Sequence, residues 1–278
     1  MSHRFGWCLV ALIAAACTEQ PDQRAQPVQA PAAALRYIGS STVGQGAMPG
    51  LVTAFAQRTG IKFSEVKISG SVEGFRAVMA GEAPLGGMSR GLKPAEKALN
   101  PYAEVIGYDA IGVFVNELNP VADLSKAQLK ALFTGAVKDW KAVGGTPGPL
   151  ELVTEPNDGH RATIQFFQES VMGEAPYGKS REIELPLDDV RYVVGHREAI
   201  TFASFVFAQR GAKLIKVNGV LPSEATIRSG EYPLVRPLLL VSKEPPQGSA
   251  KAFFDFVLSP EGQAIVGRNF VPRMTPKG

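Results

Sequence analysis

The chain has 278 residues, of which 45% are hydrophobic and 20% charged, values of a globular protein long enough for two α/β domains. Its 29 basic and 26 acidic residues leave a formal net charge of +3 without a block of Lys and Arg, which argues against a nucleic-acid-binding protein. A small positive balance suits an anionic ligand, although composition alone gives little support for one.

The first predicted element is a targeting segment. His3 and Arg4 form a short basic start, and residues 5–16 are apolar and end in small side chains. This run is too short to span a bilayer, and its build is that of a secretory signal. We therefore predict a signal peptide over residues 1–16.

A cysteine follows this segment directly. The run AAAC at residues 14–17 resembles the lipobox of bacterial lipoproteins, in which the Cys becomes the lipidated first residue of the mature chain. That box usually has Leu or Val where Ala14 stands. The resemblance implies lipidation of Cys17 and a periplasmic protein anchored to a membrane. The alternative is ordinary cleavage after an A-x-A site, which implies a soluble periplasmic protein.

A polar segment connects the cysteine to the folded part of the chain. Residues 17–34 are rich in Pro, Gln and Ala and have no apolar periodicity, so we predict a flexible tether. Cys8 and Cys17 are the only cysteines of the chain, so we expect neither a disulfide nor a thiol nucleophile in the mature domain. Because no later segment is long and apolar enough to cross a bilayer, we expect membrane contact through the lipid anchor only.

Short apolar strands alternate with helical patterns from Leu35 onward. The predicted strands are 35–39, 61–68, 84–88, 105–115, 150–155, 199–206, 213–217 and 232–242. The predicted helices are 48–57, a segment after Gly70, a segment that opens with the capping box of Ser125 and Gln128, a segment after Asp158, and 249–258. Such alternation predicts largely parallel, doubly wound sheets.

Three loops rich in hydroxyl groups follow predicted strands. They contain Ser40, Ser41 and Thr42, then Ser69, Gly70 and Ser71, and finally Ser89 with Arg90. In open α/β sheets ligands bind beyond the carboxyl ends of the strands, where helix N-termini favour anions and Arg offers a bidentate fork. One such loop is explained equally well as a helix N-cap. Three together predict an anion-binding site.

These loops belong to a wider resemblance over residues 35–275. The chain resembles the phosphate-binding proteins of ABC uptake systems, within the type II periplasmic binding proteins. The resemblance lies in GSSTV (39–43), ISGSVEGF (68–75), MSRGLKPAE (88–96), residues 109–135 followed by Trp140, residues 229–243 and residues 252–266.

The resemblance implies both a fold and a function. The expected fold is α/β, with two lobes around a central cleft and two crossover segments. Lobe 1 would comprise residues 35–113 plus 235–278, and lobe 2 residues 114–234. The implied protein is a monomeric, extracytoplasmic lipoprotein without a cofactor that captures a small oxoanion, with phosphate favoured. It would present that ligand to an ABC permease or a sensor.

The second-lobe ligand loop departs from the family. Members usually carry an Arg and then Ser-Gly-Thr, whereas Asp158, Gly159 and His160 stand here, followed by Arg161. An acid repels an oxoanion unless it accepts a proton of the ligand. Asp158 in that role, with His160 and Arg161 as donors, would favour a protonated oxoanion and reject sulfate. Two alternatives remain open: Asp158 only caps the next helix, or the ligand is not phosphate.

An enzymatic alternative rests on residues 87–91, which fit the G-x-S-x-G pattern of a nucleophile elbow around Ser89. Asp158 and His196 follow as possible partners. The pattern is short and arises often by chance, so we expect a binding protein and not a serine hydrolase. We expect no metal site, because beyond the signal peptide only His160 and His196 are available and no Cys remains.

Overall fold

The structure, a computed structural model, describes residues 1–3 and 34–273. The rest of the predicted signal peptide, Cys17 and the tether up to residue 33 lie outside the described residues. The strands are β1 (Leu35–Gly39), β2 (Phe63–Ile68), β3 (Leu85–Met88), β4 (Tyr102–Asn116), β5 (Asp123–Leu124), β6 (Glu151–Thr154), β7 (Arg181–Glu182), β8 (Ala199–Ser204), β9 (Ala212–Val217), β10 (Val235–Ser242) and β11 (Val271–Pro272). Each predicted strand has a counterpart among them.

Helices connect most of these strands. They are α1 (Ser41–Gly46), α2 (Met48–Thr59), α3 (Ser71–Met79), α4 (Pro94–Lys97), α5 (Lys126–Phe133), α6 (Ala162–Phe167), α7 (Pro186–Gly195), α8 (Glu224–Ser229), α9 (Gly248–Leu258) and α10 (Pro260–Val266). The predicted capping box sets the start of α5: Ser125 Oγ accepts from Gln128 N at 3.1 Å, and Gln128 Oε1 accepts from Ser125 N at 2.9 Å. Across residues 34–273, no helix has the length and apolarity of a membrane span.

The strands form one sheet in the order β2-β1-β3-β10-β4-β8-β6-β7. In addition, β9 and β11 each pair with β4, and β5 pairs with β9. β1 is parallel to β2 and β3, and β6 is parallel to β7 and β8. The central strands β4 and β10 are antiparallel to their neighbours. The parallel arrangement that the sequence predicts therefore occurs on both sides of an antiparallel centre.

β4 is long enough to belong to both parts of this sheet. Up to Ala110 it pairs with β10, and from Ile111 it pairs with β8 and β9. Every side chain from Asp109 to Asn116 is buried, as expected for a strand covered on both faces. The change of partners brings the polar Asp109 into the middle of the protein.

Two large hydrophobic cores draw on different segments of the chain. One combines the beginning and the end of the described chain, where Phe55 meets Phe253 edge-on with ring centroids 5.1 Å apart. The other is built almost entirely by residues 110–234, where Phe167 stacks on Phe202 at 3.8 Å. The lobe boundaries given above remain a prediction.

Candidate functional site

The three hydroxyl-rich loops meet where β1 and β3 end and α3 begins. Ser40 Oγ donates to Ser89 Oγ at 2.9 Å, and Ser71 Oγ accepts from the backbone N–H of Ser89 at 3.1 Å. All three serines are almost completely buried. Loops that are widely separated in the sequence thus form one cluster of hydroxyl groups.

Glycines permit this close approach. A Cβ at Gly39 would lie 2.5 Å from Gly87 N, and one at Gly74 would lie 2.6 Å from Gly39 Cα. β1, β3 and α3 are therefore packed backbone against backbone. Gly70 has a φ of 87°, and a Cβ there would lie 2.7 Å from the carbonyl oxygen of His160. The loop after β6 thus closes directly over the hydroxyl cluster.

A narrow polar pocket lies between these segments. Its two walls come from the two parallel parts of the sheet. The hydroxyl cluster beside β1 and β3 forms one wall, and residues between β6 and α6 form the other. The lining residues are Ser40, Ser41, Gly70, Ser71, Ser89, Glu155, Arg161, Ala162 and Thr163. Hydroxyl groups, one cation and one acid therefore line the same narrow pocket.

Glu155 is the acid that the fold places inside this pocket. It directly follows β6, and its side chain is 2% exposed. Its Oε1 lies 4.0 Å from Arg161 Nη1, and its Oε2 has no hydrogen-bond partner within residues 34–273. Burial raises the pKa of Glu155 to about 7, although the positive charges of Arg161 and Arg236 oppose this change. Near neutral pH this carboxyl group can therefore gain or lose a proton and has a free oxygen.

Arg161 is the cation of the pocket. Its Nη2 donates to Glu184 Oε1, and its Nε lies 3.8 Å from Asp158 Oδ2. Its side chain is 10% exposed, and within the described residues Nε makes no hydrogen bond. A buried guanidinium with a donor to spare suits an oxoanion. Arg161 is thus the predicted basic ligand residue that lines the pocket, together with most of the predicted serines.

Arg90, by contrast, does not line the pocket. Its guanidinium donates to both carboxylate oxygens of Glu96, each at 2.7 Å, and to Gln165 Oε1 at 3.0 Å. These acceptors already occupy N–H groups at the edges of the guanidinium, so a role of Arg90 in ligand binding remains a prediction. Glu96 lies six positions further along the chain, in α4.

Asp158 and His160 lie beside the pocket in a more open cleft that also includes Ser69 and Glu73. The Asp158 side chain is 41% exposed, and its Oδ1 accepts from the backbone N–H of His160 at 2.8 Å. Asp158 does not cap α6, because that helix begins after Arg161. Its carboxylate instead stabilises the turn at Gly159, whose φ is 80°.

Two buried charges below the pocket were not among the predicted ligand residues, although both lie in segments that carry the family resemblance. Arg236 of β10 and Asp109 of β4 are both fully buried and paired at 2.8 Å. Thr42 reaches this pair, since its Oγ1 accepts from Arg236 Nη2 at 3.0 Å. The available sequence signal was one charged residue within each of two otherwise apolar strands.

The structure gives Ser89 no catalytic partner. Its Oγ accepts from Ser40, and no hydrogen bond joins it to a histidine in the part of the chain that is described. His196 instead stacks on Tyr192, with ring centroids 3.6 Å apart. Within residues 34–273, no group of three or more His, Cys, Asp and Glu side chains is arranged to hold a metal ion.

Comparison with known proteins places the chain in a family. A sequence model of the PBP superfamily domain matches residues 25–261. The phosphate-binding protein PstS of Staphylococcus epidermidis is 30% identical over 264 residues, covering 86% of this chain and 79% of that protein. PstS of Bacillus subtilis is 27% identical over 281 residues, covering 94% and 90%.

A solved structure gives the same assignment. A candidate phosphate ABC transporter substrate-binding protein from Clostridium perfringens, crystallised with bound phosphate, is 29% identical and superposes with a TM-score of 0.81. The match covers 87% of this chain and 100% of that one. The two-lobed α/β fold expected from the sequence is thereby confirmed. The chain belongs to the PBP superfamily and, within it, to the PstS family of phosphate-binding proteins.

Proposed function

We propose that this protein captures phosphate outside the cytoplasm and delivers it to an ABC transporter. The names of the PstS relatives and the phosphate-bound Clostridium structure support this ligand. The chemistry of the pocket supports it independently, because hydroxyl groups and Arg161 converge there as donors for an anion. The protein acts by binding and not by turnover, in keeping with a Ser89 that has no histidine partner.

One observation carries the choice of ligand: Glu155 has a free buried oxygen in a pocket otherwise rich in donors. Hydrogen phosphate has a P–OH group that must donate to an acceptor, whereas sulfate has none. Sulfate would therefore place an oxygen against the Glu155 carboxylate without a proton between them. Glu155, and not Asp158, is the group that shares a proton with the ligand.

Replacement of Glu155 by Gln tests this role. The amide cannot accept the proton as strongly and can donate to an oxygen instead, so phosphate affinity should fall about tenfold or more while sulfate gains affinity. Isothermal titration calorimetry with phosphate, arsenate, sulfate and organophosphates at pH 8 measures both changes.

The matched control is Asp158→Asn, which alters the nearby exposed acid and should leave selectivity unchanged. If Asp158→Asn changes selectivity and Glu155→Gln does not, the proton acceptor is Asp158. If the unmodified protein binds none of the oxoanions, the altered loop at residues 154–161 has changed the ligand class.

A lipid on Cys17 anchors this receptor at the membrane, and the polar tether of residues 17–34 lets the monomeric domain reach its permease or sensor. The lipobox-like run at residues 14–17 supports the anchor. The lobes divide at the two crossover strands, with residues 35–113 and 235–278 in one and 114–234 in the other. Because the ligand would contact both lobes, its binding would be coupled to closure of the lobes around the cleft.

A further inference from the structure

The largest fully buried side chain of the described protein is that of Arg236. It faces Asp109 across the β10–β4 pair, in direct register. Its Nε and Nη2 lie 2.9 and 2.8 Å from Asp109 Oδ2, and Ser204 Oγ donates to the other carboxylate oxygen at 2.6 Å. An ion pair without solvent contact thus occupies the position where β4 exchanges β10 for β8.

The guanidinium also reaches two threonines from opposite walls of the site. Nη2 donates to Thr42 Oγ1 at 3.0 Å, and Nη1 donates to Thr163 Oγ1 at 3.2 Å. Thr42 lies in α1, next to the pocket residue Ser41, and Thr163 lines the pocket from α6. Arg236 is therefore in contact with the first ligand loop and with the segment after β6 at once.

The chemistry of arginine fixes which group donates and which accepts in these hydrogen bonds. A guanidinium has only donors, so both threonine oxygens must accept from it. The single hydrogen of each hydroxyl is then left for another acceptor. The Thr163 hydroxyl lowers the pKa of Glu155, and both residues line the pocket.

We propose that Arg236, held by Asp109, is a positioning residue for the oxoanion: it joins the α1 and α6 segments beneath the pocket and orients their hydroxyl groups. This inference rests on the proposed function and adds residues that need not touch the ligand. Lysine cannot replace arginine here, because a single ammonium group cannot match a planar fork that bonds Asp109, Thr42 and Thr163 together.

The test separates positioning from stability. Removal of Arg236 alone leaves Asp109 buried and unpaired, so Arg236→Met should unfold easily whatever its role. The double variant Arg236→Met/Asp109→Leu replaces both charges with apolar groups of similar size and should regain much of the lost stability. We expect its Kd for phosphate to stay at least tenfold above that of the unmodified protein, by calorimetry, at a melting temperature near the original.

Two further measurements make the assignment specific. Thr42→Val should weaken phosphate binding about tenfold in the unmodified background and have little effect in the double variant, since both changes break one network. Arg58→Met removes an arginine from an exposed pair with Glu261 and should alter neither affinity nor melting temperature.

The outcomes are distinct. A stable double variant with unchanged phosphate affinity would overturn this inference and leave the proposed function intact. Equal effects of Thr42→Val in both backgrounds would also overturn it. If the unmodified protein binds no oxoanion, both proposals fail together.

Discussion

Asp189 is a buried carboxyl group with no hydrogen-bond partner for either oxygen in the described part of the chain. It lies in the first half of α7, and its side chain has no solvent contact. Burial raises the pKa of Asp189 to about 9, and the neighbouring charges of Glu155 and Asp188 act in the same direction. At neutral pH this aspartic acid therefore keeps its proton and adds no negative charge near the pocket.

Asp189→Asn should make the fold less sensitive to rising pH. The folded pKa lies above the unfolded value of about 3.9, so the folded state holds a proton that the unfolded state releases. This contribution to stability is complete at low pH and is lost as the pH rises towards 9. Urea unfolding at pH 5 and pH 8 should show a loss on the order of 2–4 kcal/mol from this group, which the uncharged Asn abolishes.

Asp255→Asn is the control for that measurement, because Asp255 of α9 is exposed and paired with Lys251 at 2.6 Å. It should leave the pH dependence of stability almost unchanged. An Asp189→Asn protein that lost stability between the two pH values as steeply as the unmodified protein would show that Asp189 is ionised in the fold.

At the level of secondary structure, the site depends on the contact of α3 with β1. Gly74 of α3 has no room for a side chain, since a Cβ would meet Gly39 Cα and the carbonyl oxygen of Ile38 at 2.6 and 2.7 Å. Backbone cannot move aside as a flexible side chain can. The helix must therefore shift if this position changes, and Ser71 at its first turn would shift with it.

Gly74→Ala should accordingly destabilise the protein by about 1–3 kcal/mol and weaken phosphate binding. Thermal unfolding and calorimetry measure the two effects. Gly195→Ala is the matched control at the end of α7, where an added Cβ meets nothing within 4 Å. It should be neutral or slightly stabilising, because Ala is the better helix former. Equal effects of the two substitutions would contradict the close packing described here.

At the scale of the whole molecule, the proposed anchor at Cys17 lies outside the described residues. Cys17→Ser should move the protein from the membrane fraction to the soluble periplasmic fraction, because serine cannot carry the lipid that the cysteine would carry. Cell fractionation followed by immunoblotting measures the change. Identical fractionation of variant and parent would exclude lipidation at Cys17 and favour ordinary signal cleavage.

Local patterns in the sequence were sufficient to locate most of the longer strands and helices. Alternating apolar runs predicted each of the longer strands, and the capping box at Ser125 predicted the start of α5, because such signals depend on neighbours a few positions away. Helix α7 also has a local signal, a proline at its first position followed by Leu187, Val190 and Val193 at helical spacing, but it was not predicted. The loops containing Ser40, Ser71 and Ser89 likewise stood out before the structure joined them.

The contacts and the burial of the charged residues were decided only by the tertiary structure. Arg90 was expected in the site, but in the fold its guanidinium donates to both carboxylate oxygens of Glu96. Glu155 was not among the predicted ligand residues, yet it is the acid that is buried in the pocket. The charge state of a carboxyl group and the direction of a hydrogen bond depend on which groups lie around it. For Arg236 and Asp109 those partners are 127 positions apart, a distance at which sequence pattern carries no information about contact.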